Sequence, residues 1–145
     1  MELRITFDDR IARSYVERGA SPLMYIHWDF GHMQYPSDDW MDFGAVIVPW
    51  WLVNSHDMIL GSEGARFSFM DGPYSIVAKR DDSQLRLSFR GQPDIVAVAV
   101  LPFIDSLLTA ARALCRELDR RGINNGRIDF GVQELKAACE QSHIF

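Results

Sequence analysis

The chain has 145 residues, 48% of them apolar and 24% charged, with a formal net charge of −5. A chain of this size can bury roughly 68–70% of its unfolded surface, enough apolar burial to offset chain entropy, which argues against disorder and against a need for metal or disulfide staples. Two cysteines, Cys115 and Cys139, are too few for a secreted disulfide framework, and the eleven-residue uncharged run 43–53 is too short for a membrane span of ~20 residues.

In chain order, Leu3, Ile5 and Phe7 alternate with polar residues and predict a strand. The same stretch lacks the apolar core of a signal peptide, so the expectation is a soluble, cytoplasmic protein. A charged connection through Asp8, Asp9 and Arg10 follows. Residues 25–30 are a second predicted strand, ended by Gly31. Its alternation puts Ile26, Trp28 and Phe30 on one face, and Tyr25, His27 and Asp29 on the other. Residues 34–42 are rich in Pro, Ser and Asp and read as an exposed loop. Residues 45–53 read as a buried strand in which Pro49 marks an edge or a bulge. Residues 54–57 look like a turn, with residues 58–60 returning as a short strand.

The pattern then becomes a meander. Strands are predicted at 66–70, 74–79, 85–89 and 95–100, separated by Asp71-Gly72-Pro73, by Arg80 to Ser83, and by Gly91 to Asp94. Ile104, Leu107, Leu108, Ala111, Leu114, Cys115 and Leu118 recur at three and four, which predicts a long amphipathic helix. Pro102 sits at its start and Gly122 at its stop. A shorter helix over about 129–140 is predicted from Val132, Leu135, Ala138 and Cys139. Strands followed by helices give α+β, one domain over 1–145, with the helices packed on one face of a mainly antiparallel sheet.

Charge is distributed unevenly. Residues 21–61 hold Asp29, Asp38, Asp39, Asp42 and Asp57 with no lysine or arginine, so the whole net charge arises there. The same stretch carries all four tryptophans (Trp28, Trp40, Trp50, Trp51) and His27, His32 and His56. Aromatic residues with a polar tip are enriched at binding surfaces, and an acidic surface repels phosphate backbones while steering basic partners. Asp38, Asp39, Trp40 and Asp42 are therefore the expected contact residues, with His27 and Asp29 as neighbours. For both Trp50 and Trp51, a place in the core and a place at the surface are equally open.

Chemistry-bearing patterns are few. His27, Asp29 and His32 have the donor types for zinc or non-haem iron, so a small enzyme or metal-binding domain is the alternative, although the spacing matches no established ligand pattern. His56 and Asp57, as strand neighbours, would face apart unless they lie in a turn. Cys115 lies on an apolar helix face, where a thiol is inert. Gly61-Ser62-Glu63-Gly64 lacks the lysine of a phosphate loop. No catalytic residue and no cofactor is assigned. A third reading, an apolar ligand pocket lined by tryptophans, stays open.

The string Phe67-Ser68-Phe69-Met70-Asp71-Gly72-Pro73-Tyr74 stops one strand and starts the next, a structural role in itself. Together with the meander and the long helix, it resembles small bacterial immunity proteins encoded beside polymorphic toxins. The resemblance covers the pattern of residues 43–140. It implies stoichiometric binding and inhibition of a cognate toxin, and it carries over no catalytic residue. The expected function is thus a non-catalytic binding protein for a partner with a basic surface, with oligomeric state unassigned.

Overall fold

The first strand, β1 (Glu2–Thr6), pairs antiparallel with β2 (Met24–Asp29) in a computed structural model that describes residues 1–143. Between them lies a helix absent from the sequence-based expectation, α1 (Asp9–Glu17). The Asp8 carboxylate caps it by accepting the Ile11 N–H at 3.0 Å, and only Ala12 on it is buried. The apolar positions Ile11, Ala12, Tyr15 and Val16 have helical spacing, so the signal was present but masked by the surrounding charges.

Residues 34–42 are more ordered than an exposed loop. They contribute β3 (Gln34–Tyr35) and β4 (Met41–Asp42), which share the second edge of β2 and complete a four-stranded sheet.

The region 44–59 corrects the strand, turn and short-strand reading of that stretch. It is a single helix, α2 (Gly44–Ile59), with Pro49 inside it. Ile47, Val48, Trp51, Leu52, Ser55, Met58 and Ile59 are buried, a spacing that keeps one side of the helix in the core. A continuous apolar run does not distinguish a buried strand from a buried helix, and tertiary burial decides it. Trp51 Nε1 donates to Ser68 O (2.9 Å) and Asn54 Nδ2 to Arg66 O (2.7 Å), which ties α2 to the next strand. The Arg80 guanidinium meets the C-terminal carbonyls of Met58 (3.3 Å) and Ile59 (3.4 Å), where the helix dipole favours a cation.

The meander forms as expected: β5 (Gly64–Ser68), β6 (Ser75–Asp81), β7 (Gln84–Phe89) and β8 (Ile95–Ala99), antiparallel in chain order. Asp82 adopts φ 56° in the two-residue turn from β6 to β7, a position that suits a short polar side chain. This is a second sheet, separate from the first, so the α+β architecture contains two antiparallel sheets rather than one.

β8 runs directly into α3 (Val100–Arg120), with Pro102 in its first turn, and α4 (Gly126–Gln141) closes the described chain. α3 contacts β1, β8, α2 and α4, and Leu3 N–H donates to Ser106 Oγ at 2.9 Å. One continuous core results, in which Trp28 stacks on Phe103 at 4.6 Å and Trp51 meets Phe69 at 5.1 Å. Each fully buried large side chain contributes about 1.5–3 kcal/mol. Cys139 is buried and its thiol is pushed up to about 11; burial also raises that of the half-buried Cys115. No helix among the described residues is long and apolar enough to cross a membrane.

Candidate functional site

The alternation of β2 holds in three dimensions. Met24, Ile26 and Trp28 are buried against the core, and Tyr25, His27 and Asp29 line the opposite face. The register with β1 sets Arg4 beside His27, Glu2 beside Asp29 and Thr6 beside Tyr25. β3 adds Gln34 opposite Asp29, and the connection from β3 to β4 brings Asp38 and Asp39. The result is a shallow concavity of about 540 Å³ on the outer face of the N-terminal sheet.

Its electrostatics are negative but not uniform. Asp29, Asp38 and Asp39 line it together with one guanidinium, that of Arg4, which lies 3.1 Å from Asp29 Oδ2 and 3.3 Å from Glu2. The acidic stretch is thus partly neutralised by an arginine from another part of the chain. Asp29 Oδ1 accepts the Gly31 N–H at 2.8 Å and Gln34 Nε2 at 3.3 Å. The Gly31 bond is the largest influence holding the Asp29 carboxyl below its ordinary value; burial opposes it, and Gln34 and Arg4 add to it. Gly31 reaches that carboxylate with φ 88°, a conformation natural to glycine.

His27 forms part of the lining and is only 8% exposed. Its Nδ1 is buried and makes no hydrogen bond. Burial lowers its pKa from 6.5, against the pull of Asp29, Asp38 and Glu2 toward the charged form. The imidazole is therefore mainly neutral at pH 7, and its buried Nδ1 has no partner in the chain.

The other expected contact residues lie elsewhere. Asp42 is fully buried, which corrects its expected place at a surface. Its Oδ1 accepts the Phe43 N–H at 2.7 Å, and Oδ2 accepts Trp40 Nε1 (3.1 Å) and the N–H groups of Met70 (3.0 Å) and Asp71 (3.1 Å). Trp40 is half-buried, with its ring edge-on to Tyr74 at 5.0 Å. A Cβ on Gly72 would come within 2.7 Å of that indole. The octapeptide 67–74 therefore works as a clasp: Phe67 and Phe69 enter the core, Met70 and Asp71 bind Asp42, and Gly72 makes room for Trp40.

His32 is exposed in the turn after β2, outside the concavity lining. Among the described residues, no three His, Cys, Asp or Glu side chains converge as a metal site. His56 and Asp57, expected to face apart, are neighbours on α2, with Nδ1 and Oδ1 3.1 Å apart. Of the tryptophans, Trp28 and Trp51 are core and Trp50 is exposed.

The fold and site together define an α+β protein with an acidic, shallow concavity on the outer face of its N-terminal sheet. No family model matches the chain, and neither a curated protein nor a solved structure shows significant similarity to it.

Proposed function

We propose that the protein is a non-catalytic, cytoplasmic binding protein of immunity type, which neutralises a toxin by covering a basic surface with the outer face of its N-terminal sheet. The observation that carries this reading is the convergence of Asp29, Asp38 and Asp39 around the nine-tenths-buried, unpartnered His27. A lysine or arginine side chain fits such a place, with carboxylates to balance its charge and a neutral imidazole that adds no competing positive charge. Negative potential over the face also speeds encounter with a basic partner and disfavours nucleic acid. A nuclease toxin, whose substrate groove must be positive, is the partner class that suits this chemistry.

The test begins with a tagged chain used to capture its partner from native lysate. Affinity is then measured for wild type and for the triple substitution Asp29→Asn, Asp38→Asn and Asp39→Asn. Expected are a slower association rate, a loss of affinity of ~10-fold or more at low salt, and a flatter salt dependence. An affinity and salt dependence untouched by the triple change would sink the proposal.

A further inference from the structure

A surface helix normally turns a polar face outward, and α2 does not until its last turn, where Asp57 is exposed. Residues 44–56 contain no Asp, Glu, Lys or Arg, and the outward side carries Trp50 at 44% and Val53 at 55% exposure. Beside them Phe130 of α4 is 67% exposed, the most exposed large apolar side chain among the described residues. The two helices bound a mainly apolar groove of about 420 Å³, lined on the α2 side by Pro49, Trp50, Leu52, Val53 and His56. Gly131 keeps the seam close, since a Cβ there would lie 2.9 Å from Leu52 Cδ1. The surface thus presents a projecting ring and a groove side by side.

We infer that this face binds a second copy of the same chain about a two-fold axis. A two-fold contact needs a surface complementary to itself. Arg127, Phe130 and Glu134 all border the groove, and Arg127 and Glu134 lie three residues before and four after Phe130, on one side of α4. An axis crossing α4 between Phe130 and Gly131 sets two α4 helices antiparallel. Arg127 then faces the Glu134 of the second copy, and the reverse pair forms at the same time. Both side chains are exposed, and neither has an ion pair within the described residues. Each Phe130 projects toward the groove of the other copy, so apolar burial supplies the attraction and the two charge pairs set the register. An unrelated apolar ligand would have no need of that charge symmetry. None of these residues lines the acidic concavity, so the inference stands apart from the proposed toxin binding.

Sedimentation equilibrium from micromolar to submillimolar concentration tests it. Wild type is expected to dimerise, and Phe130→Glu and Val53→Glu, both at exposed positions, to weaken the dimer ~30-fold or more while circular dichroism stays unchanged. Arg127→Glu and Glu134→Arg are each expected to weaken it ~3–5-fold at low salt. An equimolar mixture of those two variants restores wild-type affinity, because every pair across the axis is again of opposite charge. A wild type that stays monomeric throughout overturns the inference, and so does a dimer indifferent to Phe130→Glu or Val53→Glu. Failure of the mixture to recover overturns the two-fold register. A monomer that binds the apolar dye 1-anilinonaphthalene-8-sulfonate, and loses it on Phe130→Glu, gives the groove to another occupant and also overturns it.

Discussion

Asp38 and Asp42 stand four positions apart in one polar-looking stretch, yet one is exposed on the acidic face and the other is sealed in the interior. The difference lies in partners. Asp42 meets three backbone N–H groups and one indole N–H, enough donors to replace the water that its charge loses. Removing the carboxylate leaves those donors unsatisfied, so Asp42→Ala is expected to destabilise the fold by about 3 kcal/mol, read from urea denaturation. A loss within the scatter of surface substitutions would mean that the clasp around Asp42 contributes little. His27 shows the complementary case: its place on the same strand face as Asp29 follows from alternation, but its burial and its unpartnered nitrogen depend on tertiary packing around the strand. Sequence pattern alone therefore identified the face but not the environment.

At the scale of elements, α3 and α4 were legible because their apolar residues recur at helical spacing, and the meander because turn residues punctuate alternating strands. α2 was not legible in this way. Its Val46-Ile47-Val48-Pro49 run carries β-branched residues and a proline, which local preference assigns to a strand edge. Packing against β5, α3 and α4 outweighs that preference, and apolar residues on both sides of the helix blur its period. The strand pairing beneath α2 is tight at Gly64, where a Cβ would lie 2.2 Å from the Ala78 carbonyl oxygen. The obstacle is backbone and cannot rotate away. Gly64→Ala is accordingly expected to cost about 2 kcal/mol and to speed amide exchange in β5 and the facing part of β6, measured by hydrogen exchange. Unchanged protection of both strands would contradict this.

For the whole molecule, the shifted groups that titrate below pH 7 act in one direction. His27 has a folded pKa below its ordinary 6.5, so the unfolded chain takes up a proton that the folded chain resists. Stability therefore rises with pH across that interval and falls on acidification below 6.5. Asp9, Asp29 and Glu117 have folded values below their ordinary 3.8, 3.8 and 4.5. Arg121 is the main cause for Asp9, and Arg120 for Glu117. Their contribution is present above those ordinary values and is lost as pH falls through the folded ones. A urea midpoint followed from pH 7 downward is expected to drop in two stages, and His27→Gln to abolish only the first. A first stage that survives the substitution would assign it to another group.

Sequence alone determined the α+β class, the meander, the long C-terminal helix and the shorter one after it, the two faces of β2 and the uneven charge, because each rests on local spacing that any packing must respect. Tertiary structure alone decided that residues 44–59 are helical, that two sheets form instead of one, and that the five acids of residues 21–61 have different fates. Asp29, Asp38 and Asp39 converge on one concavity, Arg4 enters among them from β1, Asp42 is buried, and Asp57 lies on α2 beside His56. A carboxylate's surroundings are set by chain segments far away in sequence, and those surroundings determine whether its charge is offered to a partner or held in the interior.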